Sequence, residues 1–454
     1  MDADPRPGPV PDLAIVNCTA LVGTAVNRAQ FAPGATLEIT GDRLSRIDAN
    51  PASPPQAREV IDAQGMVVMP GLINTHSHAA MTFLRCAAED VAVSSWFNDY
   101  IWPMEVNVGA RDVYLGTMVA AAEMIECGVT TFADHYFFMD EAARAVADSG
   151  LRANLGWAFF SSEGDVGIER SIAFAERYNG AADGRITTCL APHAPYTVND
   201  DQLKLAADEA RRLGVKVHLH AAEDINQTRS SIAARGQTPI QVLEETGVLD
   251  AGTIIAHGCG ITDDDIPILA HYKDRVGVTH GPKGYLKFAL GPLTPIPALQ
   301  AVGVPVGYCT DGAASNNTLD VFESMRVTAI SQKQLADDAT YFSSGMALRM
   351  AGPESAAVLG MRATAGELRV GAYADVIIVD TSGFHCQPLH DLAGALVYCI
   401  QPNDVRTTIV GGKVLMRDRQ LLTIDRVTLL AEFRLRAREI IDRTHGRTIQ
   451  DYAP

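Results

Sequence analysis

The sequence predicts an α/β protein that combines a (β/α)8 TIM-like barrel with a small β-sandwich built from the N- and C-terminal segments. Short apolar runs alternate with Ala- and Glu-rich helical stretches from about residue 68 to about residue 365, which is typical of a parallel barrel. Titratable residues follow several of these runs at their C-terminal ends, where the active sites of such barrels lie. Short alternating segments separated by Gly, Asp, Asn and Pro occur near both ends of the chain, so we expect the two ends to form one β-rich unit.

This pattern divides the chain into four predicted segments. Residues 1–66 are the N-terminal part of the sandwich, and residues 67–365 are the barrel. Residues 366–425 are the C-terminal part of the sandwich, and residues 426–454 are a C-terminal helix and tail. A chain of 454 residues is long enough for about two compact domains.

Composition and charge restrict the classes of partner. The chain is 47% apolar and 20% charged, with a net charge of −17, and this argues against binding to a phosphate backbone. No apolar stretch is long enough for a membrane span, and the first residues lack the basic and apolar regions of a signal peptide. The eight cysteines are scattered without a Cys-x-x-Cys pair, which favours reduced thiols. We therefore expect a cytoplasmic protein that acts on a small molecule and binds neither nucleic acid nor membranes. A homo-oligomer is a separate expectation.

The most informative motif is His76-x-His78, directly after the apolar residues 67–74. Two imidazoles two residues apart on an extended segment point to the same side and can reach one metal ion. Four later apolar runs end in a similar way. The run 215–219 is followed by His220 and Glu223, 253–256 by His257, 275–279 by His280, and 304–310 by Asp311.

The set His76, His78, His220 and Asp311 offers three nitrogens and one oxygen, which suits a zinc-like ion that keeps one position open for water. Any one of these residues alone is more commonly part of a core or a loop, but the ordered set on successive strand ends favours a site. We interpret His218 as structural, because it lacks the acidic residue that follows His220. For His135 and His193 the alternatives of pocket lining and structural role both stay open.

Such a set has a defined chemistry. A metal lowers the pKa of a bound water molecule, and the resulting nucleophile attacks an sp² carbon. His257 and Glu223 are the predicted catalytic partners, since one can donate to the developing negative charge and the other can protonate a leaving nitrogen. Two other classes are alternatives: a catalytically silent scaffold without metal, and a redox enzyme in which two His and a carboxylate hold iron.

The ordered motifs resemble the amidohydrolase superfamily, in particular its branch of triazine hydrolases and nucleoside or guanine-type aminohydrolases. The resemblance rests on residues 69–78, 219–223, 256–257, 310–317 and 371–375. It implies one divalent metal, Zn²⁺ first with Co²⁺, Fe²⁺ or Mn²⁺ as alternatives, held by His76, His78, His220 and Asp311. It also implies catalytic roles for Asp311, Glu223 and His257. The bridging lysine of binuclear members is absent from the predicted fourth strand, 186–191, so a single metal is expected.

Departures from the family bear on the substrate. Residues 280–285 read His-Gly-Pro-Lys-Gly-Tyr where many relatives have His-Asn-Pro-x-Ser-Asn, and Ala147 and Trp157 stand where adenosylhomocysteine-type deaminases have arginines. Together with the aromatic residues of the predicted lining, among them Phe83 and Phe138, this favours an apolar urea. Glu105, in contrast, matches a ribose-binding acid of those deaminases. The predicted substrate-binding residues are Trp96, Trp102, Glu105, Trp157, His193, His280 and Tyr285.

Three substrates therefore stay open. The main expectation is hydrolysis of the C–N bond of an N-aryl-N′,N′-dialkylurea, a phenylurea, to an aniline. The first alternative is deamination of a heteroaromatic ring such as a purine, a pterin or methylthioadenosine. The second alternative is hydrolysis of a thiocarbamate.

Overall fold

The structure, a computed structural model, describes residues 10–52 and 55–452. Residues 1–9 of the predicted N-terminal segment, and with them most of the stretch searched for a signal peptide, lie outside the described residues. The strands are β1 Leu13–Ala25, β2 Arg28–Thr40, β3 Arg43–Asp48, β4 Glu59–Asp62, β5 Val67–Pro70, β6 Leu72–His78, β7 Val129–Tyr136, β8 Arg152–Phe159, β9 Ile186–Pro192, β10 Lys216–Ala221, β11 Thr253–His257, β12 Gly277–His280, β13 Val306–Tyr308, β14 Asp311–Gly312, β15 Val376–Val379, β16 Val405–Val410, β17 Lys413–Arg417 and β18 Gln420–Leu421.

The α-helices lie mainly between the strands of the barrel and at the C-terminus. They are α1 Val93–Ser95, α2 Trp102–Glu105, α3 Ala110–Glu126, α4 Met139–Ser149, α5 Asp165–Tyr178, α6 Ala181–Gly184, α7 Asp200–Leu213, α8 Ile225–Arg235, α9 Pro239–Glu245, α10 Val248–Ala251, α11 Asp265–His271, α12 Pro282–Lys287, α13 Ile296–Ala301, α14 Ala313–Asn316, α15 Val321–Ala336, α16 Ser344–Arg349, α17 Ser355–Val358, α18 Leu392–Tyr398 and α19 Arg426–Ile440.

Strands β6 to β13 form a parallel sheet in chain order, and β14 closes it into a barrel by pairing with β6. Two short strands together form the eighth strand of the barrel. β13 pairs with β12, the chain passes through Cys309 and Thr310, and β14 then pairs with β6. Asn74 fills this irregular seam, because its side-chain amide binds both the hydroxyl and the backbone amide of Thr310, at 2.7 and 3.0 Å. The predicted (β/α)8 fold is confirmed.

The two ends of the chain build a second, mixed sheet of nine strands, as predicted. Its central strand β5 pairs parallel with β1 and antiparallel with β15, so the N- and C-terminal segments meet there. Side chains alternate along β5: Val68 packs into the sheet's own core, and Val67 and Met69 pack towards the barrel. The barrel was predicted to begin at residue 67, but its first strand begins at Leu72.

A buried ion pair links this sheet to the barrel. Arg152 at the start of β8 binds both oxygens of Asp375 just before β15, at 2.8 and 3.2 Å, and the two side chains are 4% and 6% exposed. The guanidinium also lies 3.6 Å from the centre of the Tyr373 ring. Asp375 accepts a further hydrogen bond from the backbone amide of Gly411, so its charge is well satisfied.

The C-terminal helix α19 packs against α3, where Arg436 binds both oxygens of Asp112. Its Phe433 ring stacks on Phe83 with 4.1 Å between the ring centres. Phe83 was expected among the rings of the substrate pocket, and it belongs instead to this packing interface.

Several expectations concern the chain as a whole. All eight cysteines are free, as expected for reduced thiols. None of the helices within residues 10–52 and 55–452 is long and apolar enough to cross a bilayer. The expected homo-oligomer and cytoplasmic location stay predictions.

Candidate active site

Four residues from the ends of three strands converge at the C-terminal mouth of the barrel. His76 and His78 come from β6, His220 from β10 and Asp311 from β14. The Oδ1 atom of Asp311 lies 3.5 Å from His76 Nε2 and 3.3 Å from His78 Nε2, and His78 Nε2 lies 3.2 Å from His220 Nε2. The structure thus brings together the four residues that the sequence predicted as a set.

The second nitrogen of each imidazole fixes the direction of the first. His78 Nδ1 donates to the carbonyl of His135 at 2.6 Å, and His220 Nδ1 donates to the carbonyl of His193 at 2.9 Å. A carbonyl can only accept, so in both rings Nδ1 carries a hydrogen and Nε2 is the nitrogen that can present a lone pair to a metal at the centre. His76 Nδ1 lies 2.9 Å from His218 Nε2, which assigns His218 to positioning His76 and agrees with its structural interpretation.

The cluster fits a divalent ion. The Nε2 atom of His76 is buried and has no hydrogen-bond partner among the described residues. A buried nitrogen without a partner is costly, and a metal at the centre of the cluster would satisfy it. The donor set of three imidazoles and one carboxylate is the set that zinc and related ions accept.

The electrostatics of the cluster are dominated by Asp311. Burial would raise the pKa of Asp311, but the imidazoles of His76 and His78, whose Nε2 atoms face its Oδ1 atom at 3.5 and 3.3 Å, outweigh burial and hold the pKa well below its usual value. Burial lowers the pKa of His76 to about 3. In His78, burial acts in the same direction, but the hydrogen bond and charge of Asp311 prevail and raise the pKa to about 9. Asp311 is therefore ionised at neutral pH, as a ligand carboxylate must be.

Glu223 lies on the loop after β10 and is held by the next helix. Asp224 caps α8 by accepting from the backbone amide of Gln227 at 2.7 Å. This cap brings the Gln227 side chain back to Glu223, where it donates to Oε1 at 3.0 Å and accepts from the backbone amide at 2.7 Å. Burial raises the pKa of Glu223 to about 7, although the hydrogen bond from Gln227 opposes the shift. A carboxyl with this pKa can give and take protons at neutral pH.

His257 occupies a strained position at the end of β11, with φ of 79°. Its carbonyl accepts from Thr294 Oγ1 at 2.8 Å, and its Nδ1 lies 3.3 Å from the hydroxyl of Tyr285. Burial lowers the pKa of His257, although the charge of Asp311 opposes the shift. The ring lies almost parallel to His220, with 5.3 Å between the ring centres.

A cavity with an empty volume of about 850 Å³ opens above the cluster. His78, His220, Glu223, His257 and Asp311 line one end. A row of rings lines the wall, in which neighbouring ring centres lie 4.8 to 6.3 Å apart: His193, Trp102, Phe97, Trp96 and Phe288. No Lys or Arg is among the described residues that line it.

Five of the seven predicted substrate-binding residues line this cavity: Trp96, Trp102, Glu105, His193 and Tyr285. His135, whose role was left open, lines it as well, and its ring lies 4.9 Å from that of His220. His193 also lines the cavity, and it supplies the carbonyl that orients His220.

Three residues expected in the lining lie outside it. Trp157 lies on the outer side of β8 and packs against Phe174 of α5, with 5.9 Å between the ring centres, while its neighbour Ala158 faces the cavity. Side chains alternate along a strand, so a shift of one residue decides which side a ring takes. His280 is buried beside Tyr285, outside the lining, and its Nδ1 binds Thr294 Oγ1 at 2.9 Å. Phe138, expected as a lining ring, is also outside it.

Several lining residues were missed. Phe97, Phe160, Phe288 and Leu290 come from loops and short helices whose direction no sequence period reveals. Ser315 donates to Asp311 Oδ2 at 2.6 Å, and its position four residues after Asp311 in the same motif is a signal that could have found it.

Comparison with known proteins agrees with this geometry. The profile of the Amidohydrolase family matches residues 67–415, and the chain belongs to this family. A 5-methylthioadenosine/S-adenosylhomocysteine deaminase from Pelotomaculum thermopropionicum is 42% identical over 385 residues, 84% of this chain and 88% of that protein. A 5′-deoxyadenosine deaminase from Methanosarcina acetivorans is 38% identical over 415 residues, 90% of this chain and 94% of that protein.

Solved structures give the same picture. A zinc-bound adenosine deaminase from Xanthomonas campestris superimposes with a TM-score of 0.89 and 31% identity, covering 96% of this chain and 99% of that one. An atrazine chlorohydrolase from Arthrobacter aurescens, complexed with zinc, has a TM-score of 0.84 at 23% identity, covering 94% and 100%, and shows the shared fold. The chain is therefore a hydrolase of the amidohydrolase family that acts on C–N bonds, as predicted. These relatives favour the deaminase alternative over the phenylurea expectation.

Proposed function

We propose that the chain is a metal-dependent deaminase of adenosine-type nucleosides that carry an uncharged 5′ substituent, such as 5-methylthioadenosine or 5′-deoxyadenosine. Relatives with about two fifths identity over most of the chain carry deaminase names for substrates of this kind. This proposal takes the deaminase alternative of the sequence analysis and places the phenylurea second.

The observation that carries the choice is the carboxyl of Glu105 in the cavity wall. It is 5% exposed and lines the cavity, and one of its oxygens, Oε1, accepts from Tyr136 Oη at 2.6 Å. An ionised carboxylate only accepts hydrogen bonds, so the remaining acceptor capacity suits a ligand with hydroxyl donors. A ribose offers two hydroxyl donors away from the reacting base, whereas a dialkyl phenylurea has no hydroxyl and a single N–H, which lies at the reacting carbonyl.

The charge of the cavity supports an uncharged 5′ substituent. Glu105, Glu223 and Asp311 line it, and no Lys or Arg does so among the described residues. A carboxylate or phosphate at the 5′ position would find no Lys or Arg partner among these lining residues and would lose its hydration. A methylthio group or a methyl group, in contrast, gains from contact with rings such as Trp96, Phe97 and Phe288.

His76, His78, His220 and Asp311 would hold the metal, which we propose to be a single divalent ion, Zn²⁺ first. Bound there, such an ion supplies Lewis-acid activation of the attacking water. No lysine lies on β9, the fourth barrel strand, where a bridging ligand of a second ion would be expected.

The chain's own residues then provide the proton transfers. Asp311 accepts a proton from the water that attacks the ring carbon bearing the amino group, and Ser315 holds its Oδ2 atom in place. Glu223 protonates the adjacent ring nitrogen, takes up the remaining hydroxyl proton as the carbonyl forms and passes it to the departing amine, a task that its pKa of about 7 suits. Asp311 then releases the water proton to solvent and Glu223 takes up a proton again, which restores the starting state of both carboxyls. His257 donates a hydrogen bond to the oxygen as negative charge develops on it.

A second candidate is a C–N hydrolase of phenylureas or thiocarbamates. The row of rings from Trp102 to Phe288 favours it, because one buried phenyl ring contributes about 1.5–3 kcal/mol. The charge of Glu105 argues against it, since Tyr136 donates to only one of its oxygens and such ligands offer no hydroxyl to the other.

The test is a substrate panel on the metal-loaded enzyme. It contains 5-methylthioadenosine, 5′-deoxyadenosine, adenosine, S-adenosylhomocysteine, an N-aryl-N′,N′-dialkylurea and a thiocarbamate, and products are identified by mass spectrometry. We expect conversion of the first two to the corresponding inosines with ammonia release, at kcat/KM well above that for S-adenosylhomocysteine. Aniline release from the urea without deamination of any nucleoside would overturn the proposal in favour of the second candidate.

A further inference from the structure

We propose that Tyr285 is a positioning residue that fixes the tautomer of His257, so that Nε2 of His257 carries the hydrogen and serves as a donor in the cavity. The proposal rests on the proposed function only in giving His257 a role in the reaction. Tyr285 lies in the segment 280–285, where the sequence departs from the pattern of many relatives.

The hydrogen bonds around the Tyr285 hydroxyl determine the direction. The backbone amide of Gly281 donates to Tyr285 Oη at 2.9 Å, so this oxygen already accepts one hydrogen bond. Its own hydrogen needs an acceptor, and the described residues offer His257 Nδ1 at 3.3 Å and, beside the hydroxyl, the thiol of Cys309, which is a much weaker acceptor. Tyr285 therefore donates to Nδ1, which must be the unprotonated nitrogen of the ring.

This arrangement is the reverse of that in the neighbouring histidines. His78 and His220 each donate from Nδ1 to a backbone carbonyl and present the lone pair of Nε2 to the metal position. His257 accepts at Nδ1 and presents an N–H at Nε2, which cannot ligate a metal. The position of the ring hydrogen therefore distinguishes His257, a hydrogen-bond donor, from the predicted metal ligands His76 and His220, whose ring centres lie about 5 Å from its own.

The backbone of His257 is held independently of the ring. Thr294 Oγ1 donates to the His257 carbonyl at 2.8 Å, and His280 Nδ1 in turn donates to Thr294 Oγ1 at 2.9 Å. These contacts stabilise the left-handed backbone of His257, with φ of 79°. The location of His280 behind Tyr285 is thereby explained. Loss of the Tyr285 hydroxyl should consequently change the tautomer of His257 while the backbone stays in place.

The variant Tyr285→Phe removes the hydroxyl and keeps the ring that packs in the wall. Without a donor to Nδ1, both tautomers of His257 become accessible. In the tautomer that has its hydrogen on Nδ1, Nε2 faces the reacting atoms with a lone pair and cannot donate a hydrogen bond to them. We expect kcat to fall about 10-fold, on the scale of one lost hydrogen bond, while KM and metal content stay close to those of the wild type.

Tyr308→Phe is the matched control. Tyr308 is buried in the barrel, and its hydroxyl has no hydrogen-bond partner among the described residues. The same chemical change is made there without touching a histidine of the site. We expect this variant to keep the kcat of the wild type.

The direct readout is the protonation of His257 itself. Long-range ¹H–¹⁵N spectra of zinc-loaded protein labelled with ¹⁵N-histidine distinguish protonated from unprotonated ring nitrogens, and loss of a signal in His257→Gln assigns the ring. We expect Nε2 protonated and Nδ1 unprotonated in the wild type and in Tyr308→Phe, and a mixed or reversed pattern in Tyr285→Phe. A protonated Nδ1 in the wild type, or a Tyr285→Phe variant with unchanged tautomer and kcat, overturns the proposal.

The spectra do not depend on any substrate, so the two proposals fail separately. If no nucleoside is deaminated but the wild type shows the Nε2–H tautomer that Tyr285→Phe abolishes, the deaminase assignment is wrong and the role of Tyr285 stands. If nucleosides are deaminated but the wild type carries the hydrogen of His257 on Nδ1, the deaminase assignment stands and the role of Tyr285 is wrong.

Discussion

Replacement of Glu105 by Gln tests whether the cavity recognises a hydroxyl-bearing substrate. Glutamine keeps the size and one carbonyl acceptor of the side chain, and it removes the negative charge. A hydrogen bond to a charged group contributes about 1.5–3 kcal/mol, so its loss should lower kcat/KM for 5-methylthioadenosine about 10- to 150-fold. Metal content and the melting temperature should stay close to those of the wild type, because Glu105 lies away from the four predicted ligands along the cavity wall.

The pKa of Glu105 gives the prediction a second, internal check. Burial raises this pKa to about 7, although the hydrogen bond from Tyr136 and the charge of His78 oppose the shift. Below pH 7 the carboxyl of the wild type is protonated and resembles the amide of Glu105→Gln. Above pH 7 it is ionised and accepts more strongly. The ratio of wild-type to variant kcat/KM should therefore rise with pH through about 7, while titrations shared by both proteins cancel in the ratio.

The assay is the initial rate of nucleoside deamination across pH 6 to 8.5, with matched substrates as the control. A 5-methylthioadenosine analogue without ribose hydroxyls should show little difference between the wild type and Glu105→Gln, because neither protein has a donor to bind. Equal kcat/KM of the two proteins for 5-methylthioadenosine at every pH would refute the reasoning. An increased rate with a phenylurea in the variant would instead indicate that the charge of Glu105 only hinders apolar ligands.

Three further predictions concern catalysis, metal and stability. Glu223→Gln should lower kcat about 10²-fold or more with metal retained, measured by steady-state kinetics and metal analysis, and normal turnover would rule out its proton transfer. His78→Ala should lose both metal and activity, and titration of chelated wild type should restore activity at close to one ion per chain; a requirement for two ions would contradict a mononuclear site. Asp375→Ala leaves Arg152 buried without its partner and should cost about 3–5 kcal/mol of unfolding free energy, whereas the exposed pair of Arg46 and Asp48 should contribute less than about 1 kcal/mol. Chemical denaturation of Asp375→Ala and Asp48→Ala checks this difference.

Much of the fold and of the candidate site follows from the sequence by itself. The alternation of apolar runs with helical stretches predicts the barrel, because each parallel strand needs a crossover helix to reach the next one. The titratable residues at the strand ends predict the cluster, because parallel strands of a barrel end at one mouth. His76, His78, His220 and Asp311 meet there for this reason, although more than 230 positions separate the first from the last.

The tertiary structure alone decided which way individual side chains turn and what they touch. Trp157 and Ala158 are neighbours in sequence, and only the register of β8 in the barrel sends the first outward to α5 and the second into the cavity. Residues 67–70 read as the first strand of the barrel, but their pairing with β1 and β15 assigns them to the other sheet. The contacts of Tyr285 with His257 and of Gln227 with Glu223 depend on loop and helix geometry that has no sequence period. Sequence patterns report periodic burial and strand ends, whereas register, loop direction and long-range hydrogen bonds arise only when the whole chain packs.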